Sequence, residues 1–489
     1  MKKLYIALLA AALSLPATAQ EMNSAYFLDG YKYRHRLNPA LAPTRSYFSL
    51  PLLGGISANV RSDMGMKTFL YPYGNGQLTT FMNGSVSSEE FLSQLKRNND
   101  LNVNANLNLL SIGVWGRNGF TSAELSLKFG AQANLPYGLF DFMKNIGASQ
   151  SYNFSNIDAR AQAYAELALG HAHRINDNLN IGAKVKFIVG IGRASAHVDK
   201  LNVVMNQDKW SVTAAGDITS SVPGLVIPTK GETGSATGPA DANQIDFNGI
   251  EMSTDELLAN LKPSGYGAAI DLGAEYKFDD GLLEGLNVSA AVLDLGFISW
   301  GANNFYATAS DKSWEFTGFD NVSFEEGSEN SIGSQFEGLA DGLSDLIIFE
   351  KQDAVKSGAG MLACTVNLGA EYEMPFYRKL SVGFLYSSRI SGLYSKHEGR
   401  FSANVNPVKW FGFSASYGIS NYGSALGAVM NFDFPGFGLF IGTDSAIFNV
   451  TPPVEEFGGI GLPYGKLNFD VYFGISFNMG RYRVLGDRD

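Results

Sequence analysis

The sequence predicts an all-β protein: a transmembrane antiparallel β-barrel of about 14 strands, with long outer loops carrying short helices and an N-terminal plug segment. Three observations predict it. One long stretch alternates strictly between apolar and small or polar residues, the same alternation recurs to the end of the chain, and the long connections all fall on one side.

The clearest stretch is Y-G-A-A-I-D-L-G-A-E-Y-K-F, residues 266–278. Tyr266, Ala268, Ile270, Leu272, Ala274, Tyr276 and Phe278 share one face, while Gly267, Ala269, Asp271, Gly273, Glu275 and Lys277 share the other. The pattern returns over residues 362–374 with Leu-Gly-Ala-Glu-Tyr repeated, setting Leu362, Cys364, Val366 and Leu368 against Asn367 and Glu371. Soluble sandwiches use strands of roughly 5–6 residues; strands of about 10 with a two-residue period suit a membrane barrel. Asp271, Glu275, Lys277 and Glu371 are therefore the candidate lumen-facing residues.

The chain opens with Lys2 and Lys3, an apolar run from Leu4 to Leu15, and Pro16-Ala17-Thr18-Ala19. This is the layout of a cleaved secretory signal peptide over 1–19, too short in its apolar run to span a bilayer. No later run is long enough for a membrane helix. An exported chain of this kind is either soluble or a closed barrel, because only helices and barrels satisfy their backbone in lipid. The 55 glycines, 34 phenylalanines and 22 tyrosines, with only 17 % charged residues, favour the barrel and its aromatic belts. A net charge of −11 excludes nucleic acid as a partner. The single Cys364 permits neither a disulfide framework nor a thiolate metal site.

Residues 20–45 do not alternate. They are aromatic and basic, with Lys32, Arg34, His35 and Arg36, and are punctuated by Asn38-Pro39 and Ala42-Pro43. This composition is unlike a linker. It reads as a plug or hatch, with Tyr26, Arg34, Asn38 and Pro39 as its candidate residues. The barrel follows over 46–480, and residues 481–489 form a periplasmic tail.

A first strand at 47–60 contains Pro51 and needs a bulge or kink there. In the loop 61–99, Ser87 or Ser88 caps a short helix. Over 101–109 leucine, valine and alanine alternate with four asparagines; Gly116-Arg117-Asn118-Gly119 then turns into 121–131, where Leu125, Leu127 and Phe129 oppose Glu124, Ser126 and Lys128. A loop at 134–158 holds a helical piece near 139–143. Strands 159–173 and 179–191 form a hairpin across Asn176-Asp177-Asn178, with Lys184 and Lys186 on the polar face. Loops at 196–264 and 300–358 flank the pair 266–278 and 286–299. The first carries a hairpin of its own near 203–212, the second an amphipathic helical patch near 334–349. From 360 onward a meander runs through 360–374, 379–391, 395–405, 409–420, 423–433, 437–447 and 466–479. With the N-terminus periplasmic, every long loop lies outside and the short turns lie in the periplasm, an asymmetry a soluble sandwich has no reason to keep.

No chemistry stands out. His171 and His173 share a strand face, but no carboxylate or thiolate joins them, and a strand end suits them to the membrane interface. Gly231 to Gly238 lacks the strand–turn–helix setting of a phosphate loop. No nucleophile motif appears, so neither an enzyme nor a cofactor is expected.

The stretches Y-F-L-D-G-Y-K-Y-R-H-R-L-N-P-A-L-A-P (26–43), F-S-L-P-L-L-G-G-I (48–56) and V-L-D-L-G-F-I-S-W (292–300) resemble a Bacteroidetes-type outer-membrane family of unassigned function. The Asn38-Pro39-Ala40 ahead of the barrel is more distantly similar to the long-chain fatty-acid transporter superfamily, which also includes accessory barrels of the type IX secretion system. That resemblance implies a lumenal hatch and uptake of hydrophobic molecules through the outer membrane of a Gram-negative bacterium. Two readings follow. One is a channel for a hydrophobic or amphipathic small molecule. The other is a structural or accessory barrel that binds outer-membrane or periplasmic proteins. Outer-membrane lipid is the partner common to both.

Overall fold

The computed structural model describes residues 22–51, 53–73, 77–117, 119–145, 151–205, 210–253, 262–301, 305–309, 313–316, 347–353, 357–392, 395–446 and 465–480. The expected signal peptide and C-terminal tail lie outside these residues, as does nearly all of the expected helical patch; Phe349, at its end, opens a short strand, Phe349–Lys351.

The wall is a closed antiparallel barrel of 14 strands. The first, β1, comes in two pieces, Ser46–Ser49 and Ile56–Gly65. Then follow β2 (Asn98–Trp115), β3 (Gly119–Pro136), β4 (Ile157–Arg174) and β5 (Leu179–Met205). β6 (Gly265–Lys277) and β7 (Leu286–Trp300) precede β8, again in two pieces, Gly358–Met361 and Cys364–Glu373. The meander is β9 (Leu380–Ile390), β10 (Lys396–Val408), β11 (Phe411–Ser420), β12 (Gly423–Asp433), β13 (Phe437–Thr443) and β14 (Lys466–Met479). Each strand pairs with the next, and β1 closes the ring against both β2 and β14, with Tyr47 opposite Gly113 and Ser46 opposite Met479. The break in β1 falls at Pro51, which cannot donate to a ladder. A turn from Leu50 to Gly54 carries the chain around it.

Alternation sorts the side chains as the sequence reads. On β6 Ile270 and Leu272 face outward and Asp271 is buried inside. Across the wall Phe187, Phe401 and Ile419 are 53 %, 57 % and 55 % exposed, part of an apolar belt on the outward face. Leu362 breaks the expected pattern. It was placed on the outward face, yet it is buried inside against Ile298 and Trp300. The strand breaks between Met361 and Cys364, and Leu362 N–H donates to Gly296 O at 3.0 Å, so the alternation changes phase there.

Short turns close one end of the barrel, the turn side; long connections cover the other, the loop side. β5 is longer than the expected 179–191: it runs on to Met205 and pairs with strand Trp210–Ser220 above the wall. β13, expected to reach 447, stops at Thr443. Phe142, Phe154, Val203, Val212, Ala307 and Phe349 form an apolar core on the loop side. The helix Ser88–Leu92, whose N-cap Ser87 accepts from Glu90 N–H, packs Phe91 beside Phe140 of helix Tyr137–Lys144.

Candidate functional site

Residues 22–45 lie inside the barrel. Tyr26, Leu28, Tyr33 and Leu37 are buried, in one cluster with Phe120, Phe440 and Tyr472 of the wall. The segment is compact because its sequence turns repeatedly. One helical turn, Arg34–Leu37, ends at Asn38, which is extended (φ −158°, ψ 117°), as the residue before a proline prefers.

Glycines let the segment touch the wall backbone. A Cβ on Gly273 would sit 2.0 Å from Asn38 Oδ1, and one on Gly182 would sit 2.2 Å from the Pro39 carbonyl. In that close fit Asn38 Nδ2 donates to Ala274 O at 3.2 Å, to Ala290 O at 3.3 Å and to the Tyr26 hydroxyl at 3.2 Å. Tyr26 in turn bonds Ser289 Oγ at 2.9 Å. Arg34 donates to Tyr26 O and pairs with Asp29.

Three ionic anchors fix the rest. Glu124 of β3 receives Arg36 Nε at 2.6 Å and Lys184 Nζ at 2.9 Å, with His35 Nδ1 at 3.6 Å. Burial and the Lys184 charge hold the His35 imidazole well below its usual pKa, so it is neutral and bonds the Tyr47 hydroxyl at 2.7 Å. Asp444 accepts the backbone N–H groups of Asn23 and Ser24 at 2.9 and 2.8 Å, while Arg400 reaches Ser24 Oγ at 3.2 Å. At the turn-side rim Asp433 takes Lys32 at 2.7 Å, the Thr44 hydroxyl at 3.1 Å and Arg45 at 3.6 Å.

Loop-side of this segment is a cavity of about 120 Å³. Arg36 and Leu37 contribute to its floor. Its walls carry interleaved charges, with Lys186 2.8 Å from Asp271 and 2.5 Å from Asp294, and Lys128 2.8 Å from Glu166. An inward apolar patch of Ile188, Ile298, Trp300 and Leu362 lies next to this charged ring, with Tyr164 joining the two.

The structure places Asp271 inside the cavity and Glu275 inward against Asn180, 2.8 Å away. Lys277 sits 4.0 Å from Glu275, and Glu371 accepts the Ser381 hydroxyl at 2.5 Å, beside the enclosed segment rather than in the cavity. Tyr26, Asn38 and Pro39 come together at β6 and β7; Arg34 stands behind them. Sequence reasoning did not single out Arg36, Glu124, Lys184, Asp433 or Asp444. The polar faces of β3 and β5 were visible in the alternation, but nothing local pairs Arg36 with a residue 88 positions away. His171 and His173 lie on the outward side near the turn-side end of β4, with His171 bonded to Thr121 at 2.9 Å.

A family model, "Family of unknown function (DUF5723)", matches residues 39–444. The chain belongs to DUF5723. No curated protein matches it. Among solved structures, this DUF5723 barrel is similar to the Ralstonia pickettii toluene transporter TbuX at 10 % identity, covering 96 % of this chain and 100 % of that one, with a TM-score of 0.39. The P. putida toluene transporter TodX gives 9 % identity, 95 % and 97 % coverage and a TM-score of 0.38. A Pseudomonas aeruginosa FadL homologue gives 12 %, 96 % and 99 % with 0.41.

Proposed function

We propose that this protein is an outer-membrane channel for small amphipathic or hydrophobic molecules, closed from within by residues 22–45 acting as a hatch. The observation that carries the reading is the seat of that segment. It is enclosed by the wall and held there both by apolar contacts with Phe120, Phe440 and Tyr472 and by buried hydrogen bonds and ion pairs, and the polar anchors are ones that water or a ligand can replace. The turn side is then periplasmic and the loop side external.

The closed state is too tight for passage. Its cavity of about 120 Å³ is well below the roughly 300–1,000 Å³ of ordinary ligand sites. Transport therefore requires the hatch to shift. Charged walls next to Ile298 and Trp300 suit a solute with one polar and one apolar end.

The test is deletion of residues 22–43 in proteoliposomes, with solute entry followed by swelling. Entry of small solutes should rise while heat-modifiable gel migration still reports a folded barrel. Unchanged entry through a folded barrel overturns the hatch role.

A further inference from the structure

The outward face of the wall carries a recess that the channel reading does not use. It crosses β2 to β5 at the loop-side margin of the lipid-facing belt. Pairing register builds it. In one row Val103 stands opposite Ala131, Ala131 opposite Ala161, and Ala161 opposite Ala194. In the next, Leu101, Ala133, Ala159 and Ala196 follow one another, ending at Ile218 of strand Trp210–Ser220. Residues directly opposite on neighbouring strands share a face. On β4 the exposed Leu167 and Leu169 face outward, so Ala159 and Ala161, in even steps from them, face outward too.

Methyl side chains between the larger Leu101 and Val103 on one flank and Ile218 on the other leave a hollow of about 360 Å³. Ile227 borders it on the loop side. The segment containing Ile227 lies close over the wall: a Cβ on Gly192 would stand 3.3 Å from Val222. Gln132, Arg160, Ser195 and Thr219 contribute only between the rows, and alternation turns their side chains to the opposite face.

We infer that this recess holds one acyl chain of a lipid from the surrounding leaflet. Three features select that occupant. The hollow is continuous with the outward apolar belt, since exposed Phe129 lies in the next row turn-side of it and Leu167 and Phe187 follow farther along the same face. Its volume falls within the range of ligand sites. Its side-chain lining is apolar except for Ser220, which stands opposite Ala194 and whose hydroxyl accepts from Val222 N–H at 3.4 Å, so the hydrocarbon part of a lipid matches it.

The experiment uses the full chain reconstituted in dioleoylphosphatidylcholine vesicles, re-extracted into mild detergent and weighed by native mass spectrometry. The wild type should retain one phospholipid. Ala161→Phe with Ala194→Phe, which fills the hollow, should cut the retained fraction about tenfold, equivalent to losing about two methylenes of contact. Ala428→Phe, outward on the far wall, should leave it unchanged. Single Ala161→Leu serves if the double variant loses its heat-modifiable band. The inference is overturned by a bare wild-type chain, by equal retention in the filled variants, or by equal loss with Ala428→Phe.

Discussion

Arg36 Nε lies 2.6 Å from Glu124 Oε1, joining the enclosed segment to the barrel wall through a nearly dry ion pair. Lys184 shares the same carboxylate. Glu124→Gln therefore leaves two buried cations facing a neutral amide, and breaking such a pair costs about 3–5 kcal/mol. A Leu37→Cys probe, in a Cys364→Ser background, should react with maleimide at least about tenfold faster when Glu124 is neutralised. Adding Arg36→Gln should recover part of the protection, and the coupling can be read from the double-mutant cycle. Equal labelling rates in all three would show that Glu124 does not anchor the segment.

Asn38 is a second anchor of a different kind. Asn38→Leu removes its donations to the Ala274 and Ala290 carbonyls and should weaken the seat by about 1–3 kcal/mol. Gly273→Ala should do the same from the other side, because its methyl would overlap Asn38 Oδ1. Gly360→Ala, which meets nothing within 4 Å, is the matched control. Protease protection of the N-terminal segment should fall in the first two and hold in the third.

The two faces of the wall predict opposite tolerance to charge. Leu272 is half exposed on the outward face in the middle of β6, and with that face in lipid Leu272→Lys should cost about 2–4 kcal/mol of folding stability near the bilayer midplane. Asn106→Lys, on the cavity wall, should be far milder. Urea titration into lipid vesicles compares them; equal costs would reverse the face assignment.

Lys32 makes the seat sensitive to pH. Burial, opposed by the Asp433 carboxylate, brings its ammonium down to about 8 from an ordinary 10.5. The seated state therefore binds fewer protons than the released state between those values, so seating strengthens as pH rises from 8 to 10.5 and is flat below 8. The full effect is on the order of 3 kcal/mol. The protection of Leu37→Cys, taken as its labelling rate relative to the same thiol in the urea-unfolded chain at each pH so that thiolate formation cancels, should increase across that window, and Lys32→Met should abolish the dependence.

Much of the architecture was legible because a two-residue period needs no tertiary information. β6 reads from sequence to within a residue, from Asp271 inward to Leu272 outward. Leu362 was misread for the same reason: one irregular residue inverts every side chain beyond it, and no local motif marks the break. The continuation of β5 to Met205 is comparable, since its pairing with β4 slips a register at Ala163/Tyr164 and the alternation changes phase. The contents of the lumen were legible only as composition. A basic, aromatic stretch ahead of the first strand signals an unusual segment, but its partners Glu124, Asp433 and Asp444 are set by how the ring closes.

That closure also bears on assembly. The seam joins Ser46–Ser49 to a strand that ends at Met479, so the contact sealing the ring is among the most distant in sequence that the chain can make. The enclosed residues immediately precede that seam. They are tethered to its first strand and held by Glu124 of β3, Asp433 at the end of β12 and Asp444 just beyond β13. Such long-range pairing is slow to form. The segment that fills the lumen is thus continuous with the strand that closes it, so filling and closure are coupled through Ser46–Ser49.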